Sequence, residues 1–156
     1  MRFAELKANR NCICVQGCVA DIDTVSQLLM VSSPNVNTEM LSGLLHKYDP
    51  RHLERVKIEI ARFGGSYQII DVQCYLLNDL LEKNGMAHIN FLSIDTEGGE
   101  FDIISGIDFS KFKIDLITLE DNYGDPRFIK FLEEKGYILV TRLAQDLLFV
   151  HKDYKY

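Results

Sequence analysis

Residues 89–100 read Ile89-Asn90-Phe91-Leu92-Ser93-Ile94-Asp95-Thr96-Glu97-Gly98-Gly99-Glu100. An apolar run ends on a carboxylate. A second acid, two glycines and a third acid follow, and then a helical pattern begins. An α/β protein presents acids in this way at the carboxyl end of a buried strand, where open sheets bind their ligands. Gly98 and Gly99 permit tight backbone geometry and a close approach. Further on, residues 114–119 predict another strand, and it ends on Glu120. In a doubly wound sheet these two strands are parallel neighbours, so Asp95 and Glu120 are expected at one rim.

Working outward, strand and helix patterns alternate. Residues 1–9 place Phe3 and Leu6 at helical spacing. Residues 12–20, rich in Ile, Val and Cys, predict a strand followed by Asp21. Residues 21–36 look irregular, with a break at Ser32-Ser33-Pro34-Asn35. A helix is predicted over 38–48, with Met40, Leu41, Leu44 and Leu45 on one face. Asp49-Pro50 caps and opens a second helix. Leu53, Val56, Ile60 and Phe63 carry that helix until Gly64-Gly65 stops it.

Residues 67–76 predict a strand, 78–84 a short helix and 97–105 a helix closed by Gly106. Asp125-Pro126 opens one more helix and Gly136 closes it. Residues 137–142 and 147–151 form two strands whose short connection forces antiparallel pairing. The pattern predicts an α/β fold with a mainly parallel, twisted sheet and a C-terminal antiparallel hairpin. One domain over residues 1–156, with a helical insertion at about 37–65, is expected.

Composition narrows the partners. A formal net charge of -6 argues against a nucleic-acid groove or an anionic membrane surface. No apolar run is long enough to span a bilayer, and the first residues lack the apolar segment of a secretory signal. A cytoplasmic location is the expectation. Cys12, Cys14, Cys18 and Cys74 lack paired zinc-site spacing and are read as small buried hydrophobes. His46, His52, His88 and His151 share no spacing and are read as surface or cap residues. No metal ligand is assigned to either set. Lys47, Arg51, Arg55, Lys57 and Arg62 form a basic zone, either a solvated face or the edge of an anionic-substrate site.

Asp95, Glu97, Glu100 and Glu120 allow three readings. A carboxylate can take a proton from a substrate hydroxyl as the oxygen attacks an electrophile. Clustered oxygens can hold magnesium or calcium. Acids at a helix start can simply cap it, and Glu100 is best explained that way. Asp95 and Glu120, on the buried rim, are the stronger functional candidates, with Glu97 between the two cases.

These residues resemble a known family. Leu92-Ser93-Ile94-Asp95-Thr96-Glu97-Gly98-Gly99-Glu100 is similar to the K-I-D-V-E-G-x-E signature of FkbM-type methyltransferases, with Ser93 where the family has lysine. Phe3-x-x-Leu6-x-x-Asn9, the strand at 12–20, Leu77-Asn78-Asp79-Leu80-Leu81, Ile117-Thr118-Leu119-Glu120, Gly136-Tyr137 and Asp146-Leu147-Leu148-Phe149-Val150 agree in order. The resemblance implies a Rossmann-like methyltransferase sheet, S-adenosylmethionine as methyl donor and a hydroxyl acceptor on a sugar, polyketide or other small molecule.

By the same resemblance, Asp95, Glu97 and Glu100 map onto the motif acids. Val19 and Asp21 lie near the adenine side of the cofactor pocket, and Asp95 also faces the cofactor. Asp95 serves as base or orients the donor's methionine group, with Glu97 and Glu120 assisting. The family's first strand–helix–strand unit, with its glycine-rich cofactor turn, has no counterpart here, so this chain alone is expected to bind the cofactor weakly. Such a sheet has an open edge at strand 89–94, and self-association or completion by a further segment is expected. Two rivals remain: a non-catalytic module that self-associates through that edge, and a metal-dependent hydrolase built on the same acids.

Overall fold

Two four-stranded sheets carry the chain. The computed structural model describes residues 3–33 and 38–155. Met1 and Arg2, expected in the first helix, and Pro34 and Asn35, expected at a break, lie outside the described residues.

The first sheet contains β1 (Cys18–Val19), β2 (Val25–Ser32), β3 (Gly43–Leu44) and β4 (Ser66–Tyr75), in the order β1-β4-β2-β3. β4 runs antiparallel to β2 from Ser32↔Ser66 to Val25↔Gln73 and parallel to β1 at Cys18↔Cys74. Side chains alternate across a strand, so β2 serves two clusters. Leu29 and Val31 pack with Leu41, Tyr48 and Val56 beneath α2 (Pro50–Phe63). Leu28 joins Ala20, Leu44, Val72 and Cys74 on the other side.

α2 starts and stops as its sequence dictates. The Asp49 carboxylate accepts the Arg51 backbone N–H at 2.8 Å, and Pro50 occupies the first turn, where a missing N–H costs nothing. At the far end Gly64 takes φ 73 and donates its N–H to the Ile60 carbonyl.

The second sheet contains β5 (His88–Ile94), β6 (Lys113–Glu120), β7 (Tyr137–Leu143) and β8 (Asp146–His151), in the order β5-β6-β8-β7. β5 and β6 are parallel from His88↔Lys113 to Ile94↔Leu119, and the remaining pairs are antiparallel. Three helices flank it in sequence: α3 (Leu77–Lys83), α4 (Glu100–Ser105) and α5 (Arg127–Glu134). Ile104, Ile117, Leu119, Leu132 and Phe149 form the fully buried centre. The N-terminal helix α1 (Phe3–Ala8) buries no residue.

The result is a mixed α/β protein, and it departs from the expected single, mainly parallel sheet. Among the described residues only β5–β6 and β1–β4 are parallel pairs. Residues 21–36 were expected to be irregular but contain β2. Apolar side chains serve clusters on both its faces, which hides the two-residue period. The strand expected over 12–20 shrinks to Cys18–Val19, because pairing with β4 begins only there. Cys12 is consequently exposed rather than buried, while Cys74 is buried as expected.

The helix expected over 38–48 is two short 3-10 turns, Thr38–Leu41 and Leu45–Lys47, on either side of β3. Gly43 explains the difference. It pairs with Leu29, and a Cβ there would lie 2.8 Å from the Tyr48 ring and 3.2 Å from the Thr96 carbonyl. Glycine is therefore retained for a close approach to the acidic turn, and its low helix propensity breaks the pattern.

Candidate functional site

The site begins where β5 ends. Asp95 is the first residue past that strand, and Glu120 closes the parallel neighbour β6. Between β5 and α4 the chain makes a sharp turn at Glu97 (φ 59) and Gly98 (φ 128). A left-handed φ on a non-glycine residue carries strain that a fold retains only where its surroundings enforce it. Gly98 has no substitute, because a Cβ there would lie 2.5 Å from the Lys47 carbonyl oxygen. The acidic turn and the segment before α2 thus touch backbone to backbone.

Glu100 builds this turn. It is buried, and its carboxylate accepts the Thr96 N–H at 2.8 Å, the Thr96 hydroxyl at 2.9 Å and the Gly98 N–H at 3.0 Å. That matches the structural role expected for it. Asp121 is likewise a framework residue: it is buried, accepts from Arg142 Nη2 at 2.6 Å and receives the Asp125 N–H at 2.7 Å.

The other three acids converge. One carboxylate oxygen from each of Asp95, Glu97 and Glu120 lies within 4.8 Å of the others. Burial, then the Asp95 and Arg55 charges acting in opposite senses, leaves Glu97 pushed up to about 7. Burial and then Glu97 and Asp95 push Glu120 up to about 7 as well. Asp95 stands at the exposed rim, yet the surrounding protein and then Glu100 raise it also, against a hydrogen bond with Glu120.

The first sheet's connections supply the rest of the surroundings. His52 on α2 is 1% exposed. Its Nε2 lies 3.1 Å from the Leu41 carbonyl, which can only accept, so Nε2 carries a proton. Its Nδ1 lies 3.3 Å from Glu97 Oε2. Burial lowers the His52 pKa, with the Leu41 carbonyl acting against that shift. Tyr48 stacks on the ring at 4.6 Å. Asn122 Nδ2 donates to Glu97 Oε2 at 3.4 Å.

Three cavities meet at the acids. One of about 480 Å³ is lined by Ser42, Arg55, Asp95, Glu97, Glu120 and Asn122, among others. A second, about 460 Å³, extends from Glu97 and Glu120 towards Lys47, Arg51, Phe101 and Tyr123. The Arg51 guanidinium lies 4.3 Å from the centre of the Tyr123 ring on that side. The third, about 340 Å³, is mainly apolar and runs from Asp95 and Thr96 past Val19, Ala20, Leu28 and Leu44.

Of the residues that the resemblance tied to a cofactor, Val19 and Asp95 line this third cavity. Asp21 does not line it. Its carboxylate is held by Lys47, which does, at 2.8 Å. Lys47 also pairs with Asp102 at 2.5 Å. The basic zone does not act as one patch: Arg51 pairs with Asp49 and Lys57 with Glu54, while only Lys47, Arg51 and Arg55 reach cavity walls. His52 was missed as a site residue. The signal was available, since His52 sits four residues before buried Val56, on the inner stripe of α2.

Parallel strands ending in acids, a glycine-bearing turn and adjoining apolar and polar cavities make this rim the candidate site. The chain matches the methyltransferase FkbM domain over residues 5–139, and it belongs to that family. It is also similar to methyltransferase sdnD of Sordaria araneosa, at 27% identity over 96 residues, covering 54% of this chain and 37% of that protein. The chain therefore spans about a third of the length that relative has. No solved structure matches it. No helix among the described residues is long and apolar enough to cross a membrane.

Proposed function

We propose that the chain serves S-adenosylmethionine-dependent O-methylation of a small hydroxylated molecule. Membership of the FkbM methyltransferase family supports methyl transfer. The observation that carries the finer reading is the pair of carboxyls, Glu97 and Glu120, pushed to about 7 where the cavities join. A general base works best when its pKa lies near the working pH. In the reaction the acceptor oxygen attacks the sulfonium methyl. The new O–C bond forms as the C–S bond breaks, the electron pair goes to sulfur and the hydroxyl proton passes to a rim carboxylate.

Holding donor and acceptor in line is worth up to ~7–11 kcal/mol in favourable cases. The apolar cavity past Val19 and Leu44 suits the donor's adenosine, and the polar cavities beside Glu97, Arg51 and Tyr123 suit the acceptor. The test is transfer of labelled methyl from S-adenosylmethionine to a panel of sugars and polyketide alcohols, with calorimetry for the donor. Transfer that falls about 100-fold or more in Glu97→Gln or Glu120→Gln is the expected result. Transfer indifferent to both substitutions rejects the reading.

A second reading rests on β5. Among the described residues it pairs only with β6, and Phe91 on it is 56% exposed. Unpaired strand edges template pairing with another chain, so a self-associating module is the rival function. Light scattering decides it: a monomer at high concentration, unchanged in Phe91→Lys, counts against it.

A further inference from the structure

We propose that Asp95, Glu97 and Glu120 bind a divalent metal ion of the hard, oxygen-preferring kind, such as magnesium or manganese. The inference does not need methyl transfer to be correct. It concerns the same rim, and where both hold it deepens the first reading.

The geometry is the first support. The three carboxylates come from three backbone positions, and one oxygen of each lies within 4.8 Å of the others. An ion that holds oxygens at about 2.1–2.4 Å has opposite ligands about 4.2–4.8 Å apart, so one ion can touch all three. Two of the oxygens sit at the ends of hydrogen-bonded parallel strands, so their spacing is fixed by the sheet. The third is held by the Glu100-built turn and by Asn122.

The second support is independent of the acids. His52 is 1% exposed, and its Nδ1 has no hydrogen-bond partner among the described residues. With Nε2 committed to the Leu41 carbonyl, Nδ1 presents a bare lone pair 3.3 Å from Glu97 Oε2. A desolvated imidazole lone pair beside a carboxyl oxygen calls for a positive centre at that point, either a proton on Glu97 or a bound cation. Imidazole nitrogen is itself a common metal donor.

No protein cation closes directly on these acids. Among the described residues no lysine or arginine forms an ion pair with Asp95, Glu97 or Glu120. Lys47, Arg51 and Arg127, which line the neighbouring cavity, are paired with Asp21 and Asp102, with Asp49 and with Asp125. Arg55 lines the cavity of the three acids and its charge acts on Glu97, but it forms no ion pair with any of them. An all-carboxylate set with open positions towards water suits magnesium or manganese over softer metals. A hydroxyl that reached the ion from the adjoining cavity would lose its proton more readily, as metal-bound oxygens do.

The experiment titrates the purified protein with Mn²⁺, without S-adenosylmethionine, following free Mn²⁺ by electron paramagnetic resonance. One saturable site is expected, displaced by Mg²⁺ and weakened at least about tenfold in Asp95→Asn and in Glu120→Gln. Glu133→Gln, on the exposed face of α5, keeps the affinity and controls for diffuse charge. Circular dichroism confirms that each variant folds. As a second measurement, Mg²⁺ raises the melting temperature of the native chain and not of Asp95→Asn. Absence of a saturable site at millimolar Mn²⁺, or a site unaltered in both acid variants, overturns the proposal. Methyl transfer is read in a separate assay, so a failure there leaves this result standing, and the reverse.

Discussion

The sheet β5-β6-β8-β7 buries Ile104, Ile117, Leu119, Leu132 and Phe149 completely, in one continuous cluster. The sheet β1-β4-β2-β3 instead divides its apolar side chains between two smaller clusters. The difference matters for the site. The second sheet fixes two of the three acids at the ends of paired strands. The first sheet's connections deliver what surrounds them: Ser42, Lys47, Tyr48, His52 and Arg55. A well-packed body thus carries the carboxylates, and a lighter one closes over them.

The largest test breaks the denser half. Phe149→Ala removes a fully buried ring and should cost about 3–5 kcal/mol in chemical denaturation. Leu29→Ala in the first sheet is the companion, and hydrogen exchange is the readout that compares them. Leu29→Ala is expected to loosen amides in β2 and β4 while β6 and β8 stay protected. Equal loss of protection in both sheets would mean that the two bodies unfold as one unit.

The next test strikes the seam. Gly98→Ala combines a φ of 128 with a Cβ that would lie 2.5 Å from the Lys47 carbonyl, and should cost about 2–3 kcal/mol. Its distinctive effect is local: the acidic turn and the segment before α2 must separate, so metal or ligand binding falls even where the fold survives. Glu100→Ala follows at about 1–3 kcal/mol, because it strands the N–H groups of Thr96 and Gly98. Ligand binding that withstands Gly98→Ala would show that the first sheet's connections contribute little to the site.

The same contrast governs what the sequence made readable. In the second sheet, apolar runs ended cleanly on Asp95 and Glu120, and the short Leu143–Asp146 connection announced its hairpin. Local pattern and tertiary structure agree there, so the shared acidic rim was legible. In the first sheet, tertiary contacts override local pattern. β2 feeds two clusters and so loses its alternation. Gly43 is needed for packing against Tyr48 and Thr96, and it breaks an otherwise helical stretch. His52 reads as a cap residue by position, and only its register with Val56 reveals that it is buried. The convergence of Glu97 with the strand-end acids depends on a left-handed φ at Glu97, which residue type does not advertise.

The smallest expected effect sharpens the electrostatic side of the contrast. Glu97 and Glu120 are pushed to about 7 in the folded state, against 4.5 for an ordinary glutamate. Between those values the folded chain binds more protons than the unfolded one, so this contribution to stability is present below pH 4.5 and is lost as pH rises through 7. His52 acts oppositely in part of that window. Its lowered pKa makes the unfolded chain the better proton binder below about 6.5. The clean quantity is therefore a difference, the stability gap between the native chain and Glu97→Gln/Glu120→Gln in the presence of a chelator. At pH 8 the neutral variant should be the more stable by on the order of 1–2 kcal/mol, less than the full shift because water reaches the rim. At pH 5 the gap should close. Asp21, Asp49 and Asp125, whose pKa values are depressed by cationic partners, act only at still lower pH and do not blur this window. Adding Mg²⁺ at pH 8 should reverse the order, because an ion bound by three carboxylates stabilises only the chain that has them all. A gap that ignores both pH and Mg²⁺ would mean that the acids are solvated independently, and that the first sheet does not close over them.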